Sequence, residues 1–195
     1  MVAHYFTMYV NIAYSLWTLI FLVWLFFSFS NKQTTKREGL GEQFVALALL
    51  FVSFALLFNP QVVVNIFGEK GIGQNPLLGI VGDFLTLVSV LFAIWARVIL
   101  GKNWSGAVIT VKKDHQLIQT GPYAYVRHPI YTGFIFAAFG TALTIGLSGS
   151  FVAAEVMVLA FLIRMPREEE FMTQQFPEEY PLYKQRVKKI IPFLW

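Results

Sequence analysis

Thr120 to Gly133 reads T-G-P-Y-A-Y-V-R-H-P-I-Y-T-G, a polar, basic loop that turns into an apolar helix. Pro129 fits the first turn of that helix, where its missing N–H has no partner to lose and its ring presets the backbone angle, and this leaves His128 at the cap. A helix start aims unpaired backbone N–H groups and a positive dipole end at the preceding loop, an arrangement suited to a carboxylate or phosphate. The rest of the chain is read outward from this junction.

The surrounding sequence is that of a membrane protein. Of 195 residues, 56% are hydrophobic, 17% aromatic and only 13% charged, far more apolar than a soluble domain of this size requires. With no cysteine there is no disulfide, thiolate metal site or cysteine nucleophile. The first apolar run lacks a basic start and a small-residue cleavage site, so it reads as a retained helix rather than a signal peptide. The net charge of +4 lies beside apolar spans with no nucleic-acid motif, which points to lipid headgroups as the counter-charge.

Five transmembrane helices are expected, making the chain an all-α integral membrane protein with a cytosolic cofactor-binding loop and a C-terminal amphipathic helix. Tyr5 to Phe29 carries no charged side chain and forms the first span. A polar hairpin loop from Asn31 to Glu42 leads to a second helix from Gln43 to Phe67, with a kink expected near Pro60. Gly68 to Pro76 is a linker, its Gly71 and Gly73 lacking the strand that a dinucleotide loop requires. The third span, Leu77 to Leu100, contains Asp83, expected to be satisfied between helices, and Arg97, expected to snorkel to the headgroups.

Gly101 to Arg127 is too polar to cross the membrane and too long to be an idle connection. Pro129 to Ile163 forms a hairpin of two helices around Gly146 to Ser150, and Glu155 within it is expected to pack against another helix. The last helix is expected to continue past Arg164 and to bend at Pro166. Beyond it, Pro177 to Glu179 open a helix whose stripe of Tyr180, Tyr183, Val187 and Ile191 rests on the bilayer or on the loop before the fourth helix. The chain thus divides into a three-helix scaffold, 1–100, and a site-bearing region, 101–195, within one structural unit. Of the 15 basic residues only Lys70 falls on the second side of this topology, which places the site in the cytosol.

The ordered set of motifs resembles the isoprenylcysteine carboxyl methyltransferase family, within a wider group that includes membrane phospholipid methyltransferases. Its elements are Gly101-Lys102-Asn103-Trp104-Ser105, the run from His115 to Tyr123, Arg127 to Gly133, Glu168 to Glu170, and Phe176 to Tyr180. The resemblance implies binding of S-adenosylmethionine by His115, Gln116, Leu117, Ile118, Tyr123, His128, Pro129, Ile130, Tyr131 and Glu169, and no metal. It implies methyl transfer to the carboxylate of a lipophilic, prenylated substrate that enters from the bilayer. Arg164, Arg167 and Glu168 are the candidates for positioning that substrate.

Physical chemistry makes these roles reasonable. The cofactor carboxylate suits the start of the helix at Pro129, its ammonium or ribose hydroxyls suit Glu169, and its sulfonium suits a tyrosine face such as Tyr123 or Tyr131. Each residue also has a plainer use: Tyr123 and Tyr131 as interfacial anchors, Gly133 as a helix contact, Glu168 to Glu170 as a solvated run. The compact five-span form without a retention signal looks prokaryotic, which leaves an isoprenoid acid, another lipophilic carboxylate or a lipid amine open as acceptor. The rival readings are a lipid-amine N-methyltransferase and an NADPH-dependent sterol-type reductase, for which Lys112, Lys113 and Arg127 are the available cations.

Overall fold

The computed structural model describes residues 2–28, 34–37, 40–73, 75–104, 110–112 and 116–195. Its helices are α1 (Val2–Ser28), α2 (Leu40–Leu57), α3 (Pro60–Phe67), α4 (Pro76–Leu100), α5 (Pro129–Ile145), α6 (Ser148–Gln175) and α7 (Glu179–Arg186). Strands β1 (Thr34–Arg37) and β2 (Thr110–Lys112) pair antiparallel, so the first and third connections meet in a small ribbon that the sequence does not announce.

Small residues set the closest helix contact. A side chain at Gly82 would meet the Gly140 carbonyl oxygen at 2.6 Å, and one at Gly133 would meet Ala93 Cβ at 2.6 Å, so α4 and α5 approach nearly backbone to backbone. Gly133 therefore serves helix packing. Between the same helices Thr144 donates a hydrogen bond of 3.1 Å to Asp83 Oδ1, while Oδ2 is buried without a partner among the described residues, so the expected interhelical satisfaction of that carboxylate is met at one oxygen only. Trp17 of α1 is fully buried, donates to Thr141 at 2.9 Å and packs edge-on against Phe54, Phe58 and Phe134, tying α1 and α2 to α5.

Five uninterrupted spans are not what the described residues show. Three helical segments, Thr7–Ser28, Pro76–Asn103 and Ser148–Gln175, are long and apolar enough to cross, and Gln43–Leu57 with Pro60–Phe67 makes a fourth if the bent pair counts as one span. The expected kink is a break of 97°. Asn59, disfavoured from helix by the following proline, instead caps α3 by accepting from the Val62 N–H at 3.2 Å, while Tyr14 donates to the Leu57 carbonyl at 3.1 Å. α5 has 17 residues, about 25 Å of helix against roughly 30 Å of hydrocarbon.

Two charged residues sit differently from expectation. Arg97 is fully buried rather than snorkelled, because Trp104 and Phe27 bring their rings to 4.7 and 4.9 Å from its guanidinium and the Gly101 carbonyl accepts from it at 2.7 Å. Glu155, two turns into α6, is exposed rather than packed against a helix. At the hairpin end Ile72 donates to the Gly146 carbonyl at 3.0 Å and Ser148 N–H to the Lys70 carbonyl at 2.8 Å, so the linker after α3 closes the side remote from Pro129. α6 runs through Pro166 without interruption to Gln175.

Candidate functional site

The opposite end of the hairpin brings the start of α5 against the second half of α6. His128 caps α5 with its ring buried between the two acidic residues of α6: Nδ1 lies 3.4 Å from Glu168 and Nε2 lies 3.3 Å from Glu169. Ionised carboxylates only accept, so an acid on each ring nitrogen favours the doubly protonated, cationic imidazole. Burial works against that charge, but the hydrogen bonds and charges of Glu168 and Glu169 outweigh it and raise the His128 pKa above its ordinary value.

The two carboxylates have different surroundings. Glu169 is held on one oxygen by Arg127, at 2.7 and 3.0 Å, and on the other by Lys184 of α7 at 3.1 Å. Arg127 also donates to the Lys184 and Val187 carbonyls, and the backbone N–H groups of Arg127 and His128 bond to the Lys188 and Lys189 carbonyls. Glu169 thus closes a buried ion cluster that fastens the carboxy-terminal segment to the start of α5. Glu168, one residue earlier and rotated about 100° around the helix, accepts from the Tyr131 hydroxyl at 2.7 Å. That hydroxyl in turn accepts from Arg164 Nε at 2.8 Å, and Arg164 Nη1 donates to Gln43 of α2 at 3.0 Å.

Glu168, Tyr131 and Arg164 line a cavity of about 400 Å³. Its polar end is completed by Gln116, Leu117 and Ile118, by Tyr123, Arg127, His128, Pro129 and Ile130, and by Tyr180 and Tyr183 of α7. Its other walls are apolar: Phe21 and Trp24 of α1, Leu47, Leu50 and Phe54 of α2, Phe134 of α5 and Phe161 of α6. α1 and α2, with Leu100 at the end of α4, therefore supply walls of the cavity, which residues 101–195 alone do not enclose. Tyr183 donates to the Tyr123 carbonyl at 2.6 Å, so the tyrosine stripe rests on the loop before α5 rather than on the bilayer. The chain leaves the helix after Arg186, which makes Ile190, not Ile191, the buried residue of the tail. Burial pushes the Tyr123, Tyr180 and Tyr183 hydroxyls well above their ordinary range, so they stay neutral donors.

Of the residues singled out from the sequence, the structure gathers Gln116, Leu117, Ile118, Tyr123, His128, Pro129, Ile130, Tyr131, Arg164 and Glu168 around this one cavity. His115 lies outside the described residues. Glu169 is absent from the lining because its carboxylate is spent on Arg127, His128 and Lys184; the acid presented to the cavity is Glu168. Arg167 is exposed and paired with Glu170 at 3.2 Å, turned away from the cavity by its place on α6. Tyr131 stacks on Phe161 at 4.2 Å and lies parallel to His128 at 5.4 Å, so the ring is engaged and the hydroxyl is the group it offers. Arg127 carries a structural role that the sequence reading weighed only as a cofactor cation; Tyr180, read from the sequence as part of the C-terminal stripe and motif, lines the cavity, and Gln43 reaches Arg164 without a sequence signal of its own.

Comparison with known proteins identifies the family. Residues 82–174 match the family model described as the isoprenylcysteine carboxyl methyltransferase (ICMT) family. The chain is 36% identical over 151 residues to the protein-S-isoprenylcysteine O-methyltransferase of Schizosaccharomyces pombe, covering 73% of this chain and 60% of that one. It is 27% identical over 184 residues to protein-S-isoprenylcysteine O-methyltransferase B of Arabidopsis thaliana, covering 91% and 93%, and 33% identical over 148 residues to a probable enzyme of the same name from Oryza sativa subsp. indica, covering 75% and 76%. Its fold is similar to that of the eukaryotic intramembrane Ras methyltransferase ICMT, with a TM-score of 0.57 at 24% identity over 76% of this chain and 52% of that one. It spans a little over half of that solved chain and nearly all of the Arabidopsis relative. On these sequence matches, the chain belongs to the isoprenylcysteine carboxyl methyltransferase family.

Proposed function

We propose that this protein is an S-adenosylmethionine-dependent O-methyltransferase that esterifies the carboxylate of an isoprenylcysteine-like lipid. The observation that carries the reading is the shared cavity, in which the guanidinium of Arg164 and the carboxylate of Glu168 stand at one end of a wall of aromatic and aliphatic side chains from four helices. The donor set fits the cofactor. Glu168, about a quarter exposed, suits an ammonium; the first turn of α5 offers backbone N–H groups to a carboxylate; and Gln116 to Ile118 form an edge on which a nucleoside rests.

When bound, S-adenosylmethionine supplies a methyl group on a positively charged sulfur, ready for in-line displacement. The acceptor carboxylate is already ionised at neutral pH, so no side chain has to remove a proton. Arg164 holds the acceptor by charge-assisted hydrogen bonds, and the apolar walls of α1 and α2 exclude water from it and receive its tail. Alignment of two reactants in this way is worth roughly 7 to 11 kcal/mol. A cationic residue in the wall favours an anionic acceptor over a lipid amine. A pyrophosphate-binding role for Arg127, which the reductase reading needs, conflicts with its engagement by Glu169.

In this reading α2 with α3 forms one broken span, α5 is a short fifth, and the basic side with the cavity mouth faces the cytosol of a prokaryotic cell. The test is transfer of a labelled methyl group, in detergent, to N-acylated S-farnesylcysteine and to lipid amines. Label released as methanol by mild alkali and found only with the acid acceptor is expected; alkali-stable label on an amine would overturn it.

A further inference from the structure

We infer that Gln43 is a positioning residue for the methyl acceptor: its amide oxygen fixes the plane of the Arg164 guanidinium from the far side, so that the cationic fork faces the acceptor carboxylate. The inference rests on the acceptor role proposed for Arg164. Gln43 lies in the first turns of α2 and outside the residues that the family model matches, 82–174. It is nevertheless 2% exposed, among the most deeply buried polar side chains of the molecule, and its oxygen accepts from Arg164 Nη1 at 3.0 Å. A buried amide is costly unless its hydrogen bonds are made, and one that Gln43 makes is to Arg164, which lines the cavity.

The geometry is that of a two-point clamp. Arg164 Nε is held by the Tyr131 hydroxyl of α5 at 2.8 Å and Nη1 by Gln43 of α2, two neutral acceptors on different helices. A guanidinium is planar, so two fixed N–H directions define its orientation completely. Both acceptors orient the arginine by their dipoles and add no negative charge that would compete with an incoming carboxylate. A glutamate at 43 would keep the acceptor atom and add that charge. Gln43 thus links the amino-terminal helices to the chemistry: wherever α2 sits against α6, the fork of Arg164 follows.

The test uses the purified full-length protein in detergent with N-acylated S-farnesylcysteine as acceptor and its uncharged carboxamide as a competing ligand. Gln43→Leu is expected to raise KM for the acid about tenfold, the usual scale for one hydrogen bond to a charged group, with S-adenosylhomocysteine affinity and carboxamide inhibition unchanged. Gln43→Glu, which retains the acceptor atom and so guards against a packing defect, is expected to raise the same KM at least as much. In an Arg164→Ala background neither substitution has a further effect. An unchanged KM in both variants, an equal loss for acid and carboxamide, or full additivity with Arg164→Ala would overturn the inference. If Arg164→Ala itself leaves KM for the acid unchanged, the acceptor role of Arg164 is what fails; if it raises KM and Gln43→Leu does not, that role stands and only the clamp is wrong.

Discussion

Glu168 and Glu169 are neighbours in the chain with different surroundings, one lining the cavity and one in a buried ion cluster, and His128 lies between them. The pair therefore separates binding from stability. Glu169→Gln leaves Arg127, itself almost fully buried, without its counter-charge, and removal of one partner of a buried pair costs about 3 to 5 kcal/mol. The expected outcome is a markedly lower thermal midpoint. Glu168→Gln is expected to lower the midpoint less than Glu169→Gln does and to weaken S-adenosylhomocysteine binding by about 10- to 100-fold, the range for losing a hydrogen bond to a charged group. Thermal unfolding and isothermal titration of the two variants side by side distinguish the roles, and a reversed pattern would exchange them.

The charge on His128 makes the cluster sensitive to alkali. Glu168 and Glu169 raise its folded pKa against the effect of burial, while the unfolded value stays near 6.5. Stabilisation by a group whose folded pKa is raised is complete below the unfolded value and is lost as pH rises through the folded value. Arg127 and Lys184 are the other cations on Glu169. The melting temperature of the parent is expected to fall on going from pH 6.5 into the alkaline range, and His128→Gln to lack that portion of the slope. A parent whose melting temperature is flat across this range, or rises, would contradict a cationic His128.

Gly133 offers a test of the scaffold apart from the chemistry. A Cβ there would sit 2.6 Å from Ala93 Cβ and 2.7 Å from the Ser89 carbonyl oxygen, and neither atom belongs to a flexible side-chain end. Gly133→Ala is expected to push α5 off α4 and to destabilise by about 1 to 3 kcal/mol, the usual scale of overpacking. Unfolding in detergent would show it as a lowered midpoint. A variant as stable as the parent would mean that the helices separate without cost.

The helical start at Pro129, the hairpin turn at Gly146 and the gathering of the loop before α5 with the acidic run of α6 were all legible in the sequence, because proline, glycine and uncharged length act locally. What was not legible depends on rotation and on distant partners. Glu168 and Glu169 look alike in the chain, and the phase of α6 that turns one inward is set by packing against α5 and α2. Arg97 sits where a snorkelling residue belongs, but Trp104 and Phe27 close over it from other segments. Asn59-Pro60 announces a disturbance, yet whether a helix bends or restarts depends on the cap that Asn59 forms and on the Tyr14 hydroxyl that satisfies the Leu57 carbonyl. Gln43, a neutral residue at a helix start, carries no signal until α6 is in place.

The Tyr131 hydroxyl is the joint between the two halves of the site, accepting from Arg164 at 2.8 Å and donating to Glu168 at 2.7 Å. Tyr131→Phe removes that oxygen while keeping the ring stacked on Phe161, so packing is largely preserved. The variant leaves Arg164 with one acceptor fewer and Glu168 with one donor fewer, which disturbs the acceptor and the cofactor together. Each lost bond to a charged group is worth about 1.5 to 3 kcal/mol, and the two are made through one atom, so their effects do not simply add. The expected result is a fall in kcat/KM of at least tenfold, with KM for the acid and the dissociation constant of S-adenosylhomocysteine both raised. An effect confined to one of the two ligands would show that the hydroxyl serves that ligand alone, and that Arg164 and Glu168 are oriented independently.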